Sequence, residues 1–163
     1  MEDVMTTRTA RTSQTFQGAS SPWIDRGLLL MRVALGLVFV MHGGQKLFVF
    51  GHAGVASGMA ALGLPFPGLS AALITAVELG GGLALLAGAF TRVAAFLIAG
   101  AMAVATVSAH LSNGFFMPSG FEYTLTLMLS SLAILMTGPG AYSADNAWIA
   151  PKQTETPSLR LAA

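Results

Sequence analysis

An all-α, four-helix membrane bundle is the fold this sequence predicts, and three observations predict it. Hydrophobic residues make up 54% of the chain and charged residues only 9%, where soluble domains carry about a quarter charged. Four apolar runs, 27–50, 69–90, 93–111 and 122–137, approach the length of about 20 residues that crosses a hydrocarbon core. Lys and Arg gather on one side of those runs. Arg8, Arg11 and Arg26 precede the first, Arg92 separates the second from the third, and Lys152 and Arg160 follow the fourth, whereas the other side has Lys46 alone. A Lys/Arg excess marks cytoplasmic segments, so both termini are expected in the cytoplasm.

The elements follow in order. Residues 1–22 are rich in Thr, Ser and Gln without apolar periodicity and are expected to be a disordered cytoplasmic leader. The apolar run after them exceeds a signal-peptide core of about 7–15 residues, so cleavage is not expected. The membrane domain is expected over 23–143. Trp23 stands where an interfacial aromatic belongs, ahead of the first span. The loop 51–68 is itself apolar; a short surface helix is expected over 55–62, stopped by Pro65 and Pro67. Such a loop is suited to lid the outer mouth of the bundle. The second span carries Glu78 and then Gly80, Gly81 and Gly82, which are expected to let helices approach closely. Thr91-Arg92 turns the chain into a third span rich in Ala and Gly. That span ends at His110, and Asn113-Gly114 opens a second outer loop. Glu122 begins a fourth span, short at roughly 24 Å, and Gly138-Pro139-Gly140 ends it. A cytoplasmic tail is expected over 144–163, disordered from Pro151.

Several chemistries drop out. The chain has no Cys, which excludes disulfides, thiol relays, cysteine-ligated clusters and cysteine nucleophiles. Neither a phosphate loop, a nucleophile elbow nor a zincin motif is present, so no catalytic residue and no metal site is assigned. No basic stripe is interleaved with aromatics, so the expected partner is the lipid bilayer rather than nucleic acid.

What remains is a polar set inside apolar runs: Arg32, His42, Gln45, Lys46, Glu78, His110 and Glu122. A charge at the bilayer centre costs about 2.5–3.5 kcal/mol on insertion scales, so such residues face a protein interior or a wet cavity. At about 100° per residue, Arg32, Phe39, His42 and Lys46 share a sector roughly 80° wide. Depth arithmetic places Glu78 between Arg32 and His42, so pairing with one of them is expected. The others cluster at the outer mouth under the loop 51–68. Blander readings stand beside these. Lys46 would snorkel outward, Arg32 would satisfy helix carbonyls, and His110 and Glu122 would be ordinary interfacial residues. An Arg32–Glu78 pair would simply staple two helices. His42 and His110 as axial haem ligands are a weaker reading, and haem is not expected.

The runs LMRVALGLVFVMHGGQKLFVFG, AGVASGMAALGLPFPGLSA and ELGGGLALLAGAFTRVAAFLIAGAM together resemble the DoxX family of small bacterial membrane proteins, over about residues 27–140. The resemblance implies a four-helix protein of the bacterial inner membrane. It also implies a subunit or accessory of a quinone-linked or oxidative-stress redox complex, with redox-enzyme partner subunits. Because no redox centre is visible in the chain, electron transfer would need a bound quinone or a partner. The alternative is a non-enzymatic scaffold or a carrier of a small solute. Homo-oligomerisation stays open.

Overall fold

The computed structural model describes residues 21–149; the leader up to residue 20 and the tail from 150, both expected to be disordered, lie outside the described residues. Among the described residues every regular element is helical: α1 Pro22–Gln45, α2 Gly51–Ala61, α3 Pro67–Ala87, α4 Thr91–Ala105, α5 Glu122–Thr137 and α6 Ala144–Ile149. At their C-terminal ends two of these widen. α1 continues through a π-helical turn, Lys46–Phe50, and α4 through Thr106–His110 and then a 3₁₀ turn, Leu111–Asn113. The surface helix expected over 55–62 begins earlier, at Gly51, because the π-helical turn carries α1 almost directly into it.

α1 starts with Pro in its first turn, where the missing N–H costs nothing, and Asp25 there complements the helix dipole. Its buried stripe is Arg32, Leu35, Gly36, Phe39 and Gly43. α3 meets that stripe with glycine on glycine. A Cβ at Gly43 would come within 2.7 Å of Leu79 Cα, and one at Gly82 within 2.7 Å of the Val40 nitrogen. Gly81 instead seats Ile98 of α4, while Gly80 has nothing within 4 Å and faces outward. The close packing expected of the three glycines therefore holds for two. α4 turns Ala94, Ala95, Ile98, Ala99 and Met102 inward, and α5 offers Thr124, Leu127, Ser131 and Ile134. The shared core joins Leu35, Phe39, Leu85, Ile98, Leu127 and Ile134.

Outside these stripes the helices stay apolar. Leu30, Met41, Leu73, Leu83, Phe96 and Leu129 are all exposed, a pattern of helices that are hydrophobic all round. Two segments are long and apolar enough to cross a membrane, Pro67–Ala87 and Thr91–Asn113. Only 22% and 28% of their most apolar windows are buried within the protein. Helix α5 is apolar but has 16 residues, and α1 has 24 but carries Asp25, Arg26 and Arg32.

The glycine crossing makes a direct prediction. Gly43→Val should lower thermal stability in detergent by about 1–3 kcal/mol or more, the cost of overpacking. Gly80→Ala, with open space around it, should leave stability unchanged.

Candidate functional site

The α1–α3 crossing positions the outer polar residues. Gly43 rests on the backbone of Leu79, so the next turn of α1 comes level with the residue before it. There Lys46, first residue of the π-helical turn, donates from Nζ to Glu78 Oε2 at 2.5 Å. The Glu78 side chain is 6% exposed and that of Lys46 19%. The expected partner of Glu78 was Arg32 or His42, and both expectations fail. Helical direction explains His42: it lies about 80° from Arg32 at the rim of the buried stripe, and it is exposed. Lys46 lies about 40° from Arg32, within the stripe.

Two cavities lie along this end of α1, the first of them lined by Lys46. One of about 330 Å³ is lined by Lys46, Leu47, His52, Ala72, Thr75, Ala76 and Leu79. Thr75 donates its hydroxyl to Ala71 O at 2.8 Å, leaving its oxygen free to accept. The other, about 640 Å³, lies around the outer end of α1 and holds His42 and Gln45 among Val40, Met41, Phe48 and Val49. His52 and Thr75 were missed from the sequence; the fact that His52 was one of two polar residues in an apolar loop was the available signal.

His110 and Glu122 do not join them. The His110 ring nitrogen Nδ1 pairs with Ser119 O at 2.9 Å, and Glu122 Oε1 accepts from Met117 N–H at 2.8 Å. Both shape the second outer loop, whose backbone groups lie nearer than α1. Thr106 donates to Thr124 at 2.8 Å beneath them, tying α4 to α5. The single outer pocket walled by His42, Gln45, Lys46, His110 and Glu122 is therefore not formed. Neither the cavity lined by Lys46 nor the one lined by His42 includes His110.

Arg32 belongs to the opposite end of the bundle, where α3 ends and α4 begins. It is 1% exposed and donates to Leu85 O at 3.2 Å and to Tyr142 O. Leu85 O is in the last turn of α3, where it also accepts from Gly88 N–H at 3.2 Å and where a cation is favoured. This is the helix-carbonyl reading of Arg32, not the staple to Glu78. Gly88, at φ +66°, ends α3 where a Cβ would collide with the Arg32 guanidinium and Ser143. Around Arg32 the segment after α5 folds back. Asp25 Oδ1 accepts from Ala141 N–H at 2.9 Å. Asp145 accepts from Phe90 N–H at 2.7 Å and Thr91 N–H at 2.9 Å, and its own N–H donates to Gly88 O at 2.9 Å. α6 is thus docked on the α3–α4 turn, and its carboxylate caps α4.

Partial burial pushes the Asp145 carboxyl up, but the Thr91 and Phe90 donors and the Arg32 charge together outweigh it and hold it below the ordinary carboxylate value. A depressed folded-state pKa gives stability that is present above the unfolded value and lost as pH falls through the folded one. Acidification below the ordinary carboxylate range should therefore loosen α6 first. Asp145→Ala should cost about 0.5–2 kcal/mol, as for a lost cap. Asp145→Asn should flatten the acid dependence of amide exchange at Phe90 and Thr91. An unchanged acid profile in that variant would refute the assignment.

Comparison with known proteins supplies the family. The DoxX family model matches residues 27–111. The chain is 35% identical over 122 residues to the Escherichia coli "Inner membrane protein YqjF", covering 74% of this chain and 91% of that one. It is 33% identical over 112 residues to the Bacillus subtilis "Putative oxidoreductase CatD", covering 69% and 79%. It is 29% identical over 134 residues to the Escherichia coli "Inner membrane protein YphA", covering 78% and 92%. No solved structure matches. With more than half of the chain inside the family model and relatives matched along most of their length, the chain belongs to the DoxX family.

Proposed function

We propose that this chain is a four-span protein of the bacterial inner membrane that holds a quinone head at its outer mouth, as a subunit or accessory of a quinone-linked redox complex. The observation that carries the reading is Lys46, paired with a nearly enclosed Glu78 among apolar helices and lining a cavity with His52 and Thr75. Ionisable groups at membrane depth mark functional sites by default. The names of the relatives, two inner membrane proteins and one oxidoreductase, support the location and the redox association.

The donor set fits a quinone. An ammonium has three donors; Lys46 spends one on Glu78 and keeps others for a carbonyl oxygen. The His52 ring can donate to a second oxygen, and the Thr75 hydroxyl oxygen can accept from a hydroxyl. The cavity of about 330 Å³ lies within the range of small-molecule sites, about 300–1,000 Å³. A bound quinone would supply two-electron, two-proton redox chemistry. Glu78 holds Lys46 in place and is the carboxylate on which a proton could rest.

Binding of bare dimethoxy-methyl-benzoquinone to the protein in phosphatidylcholine nanodiscs tests the reading. Saturable binding is expected, weakened about fivefold or more by His52→Ala, an exposed position whose loss leaves the fold intact. No saturable binding to the wild type would sink the quinone reading and leave a scaffold or a solute carrier. The four-span topology is checked separately by reporter fusions after Ala53, Arg92, Asn113 and Lys152. A periplasmic signal at Arg92 would overturn it.

A further inference from the structure

We propose that the outward groove between α3 and α4 is a tail subsite, which receives the prenyl chain of a quinone whose head sits beside Lys46. The proposal rests on the quinone reading above and adds to it a second, separate set of residues. The groove has a volume of about 310 Å³ and is wholly apolar in its lining. Leu73, Ala76, Val77, Gly80, Gly81 and Ala84 line it from α3, and Phe90, Val93, Ala94 and Leu97 complete it from the α4 side.

Its continuity with the head cavity is what names the occupant. On α3 the head cavity uses Ala72, Thr75, Ala76 and Leu79, and the groove uses the adjoining face. Ala76 lines both. A single methyl group is therefore the side chain that the cavity and the apolar groove share. From Leu73 to Ala84 the channel runs about 16 Å along α3, inward from the outer mouth. Phe90 lies at its inner end, edge-on to Trp148 with ring centroids 5.9 Å apart. A cavity that holds Lys46, His52 and Thr75 and adjoins an open apolar groove matches a molecule with a compact polar head and a hydrocarbon tail.

Charge selects the head. Lys46 is already neutralised by Glu78, so the cavity has no net cationic field to hold a phosphate. A neutral head with carbonyl oxygens suits it better than a phosphate headgroup. The channel owes its depth to missing side chains. Gly80 is exposed and a Cβ there would have nothing within 4 Å, so the position can be filled without disturbing the packing of the protein.

That freedom gives the test. Wild type, Gly80→Ala and Gly80→Leu are placed in phosphatidylcholine nanodiscs and titrated with the bare dimethoxy-methyl-benzoquinone and with the same head carrying a geranylgeranyl tail. Comparison at equal lipid composition cancels partitioning into the bilayer. The tailed quinone is expected to bind wild type about tenfold or more tighter than Gly80→Leu, with Gly80→Ala between them. The bare head is expected to bind all three alike. If Gly80→Leu binds the tailed quinone as well as wild type does, the channel is not a tail subsite, and phospholipid chains cover it as they cover any lipid-facing surface. If the bare head binds but the tail adds nothing beyond partitioning, the tail subsite falls while the head site stands. If the wild type binds neither ligand, the head site falls and the tail subsite with it.

Discussion

Lys46→Met should damage the protein more than Glu78→Gln, although the two residues are partners. The pair is asymmetric: Glu78 is nearly enclosed, while part of Lys46 reaches the outside. Removing Lys46 strands a carboxylate in the bundle, and breaking a buried pair this way costs about 3–5 kcal/mol, less whatever protonation of the acid recovers. Removing Glu78 lets the long Lys46 side chain swing outward and keep its charge in the wet interface, so the loss should stay near that of one hydrogen bond to a charged group, about 1.5–3 kcal/mol. Thermal unfolding in detergent and abundance in the membrane measure both. Lys46→Met combined with Glu78→Leu removes both charges and should recover most of the assembly lost in the first single variant. If the pair also serves a quinone site, that double variant assembles but does not bind the bare quinone. Quinone binding by the assembled double variant would leave the pair a structural device only.

Arg32→Met should unfasten the inner end. The side chain is enclosed, and its loss takes the side-chain donor from Tyr142 O and leaves Leu85 O with the Gly88 N–H alone, at 3.2 Å, at about 1–3 kcal/mol in all. It also withdraws the charge that helps hold Asp145 ionised against the start of α4. The expected result is fast amide exchange in α6 and in the segment after α5, with the α1–α3 crossing still protected, because the glycine contacts there do not involve the guanidinium. Arg32→Lys should recover only part, since an ammonium cannot reproduce the planar fork that spans two carbonyls. Uniform loss of protection through α3 and α5 would show instead that Arg32 supports the whole bundle.

Much of the frame was legible because membrane helices write themselves in long apolar runs. The burial of Glu78 was legible too, since a lone carboxylate mid-run has few other places to go. The identity of its partner was not. Depth arithmetic set the ends of α1 and α3 level, whereas Gly43 meets Leu79 and Val40 meets Gly82. That register is displaced by about five residues, roughly 7–8 Å, from the level pairing of 27–50 with 69–90. The displacement carries Glu78 up beside Gly44 and Lys46, and leaves Arg32 down at the last turn of α3. A shift of this kind comes from glycine-to-backbone fit, which apolar periodicity does not encode. His110 and Glu122 were misplaced for a different reason. Their partners are backbone groups of an irregular loop, Ser119 O and Met117 N–H, and nothing in the side-chain sequence announces where such groups will point.

The bond from Arg32 to Tyr142 O spans 110 residues of sequence, and that distance has a meaning in time. Chains are made from the N-terminus at about 5–20 residues per second, so the first helix exists for several seconds before its last acceptor does. During that interval Arg32 must stay in the headgroup region or share the carbonyls of α3. The inner end closes only when the segment beyond α5 has emerged. A ribosome halted before Tyr142 should thus hold a chain whose later helices have formed but whose first helix is still shallow. The segment beyond α5 is the stitch that closes this end of the helices around Arg32.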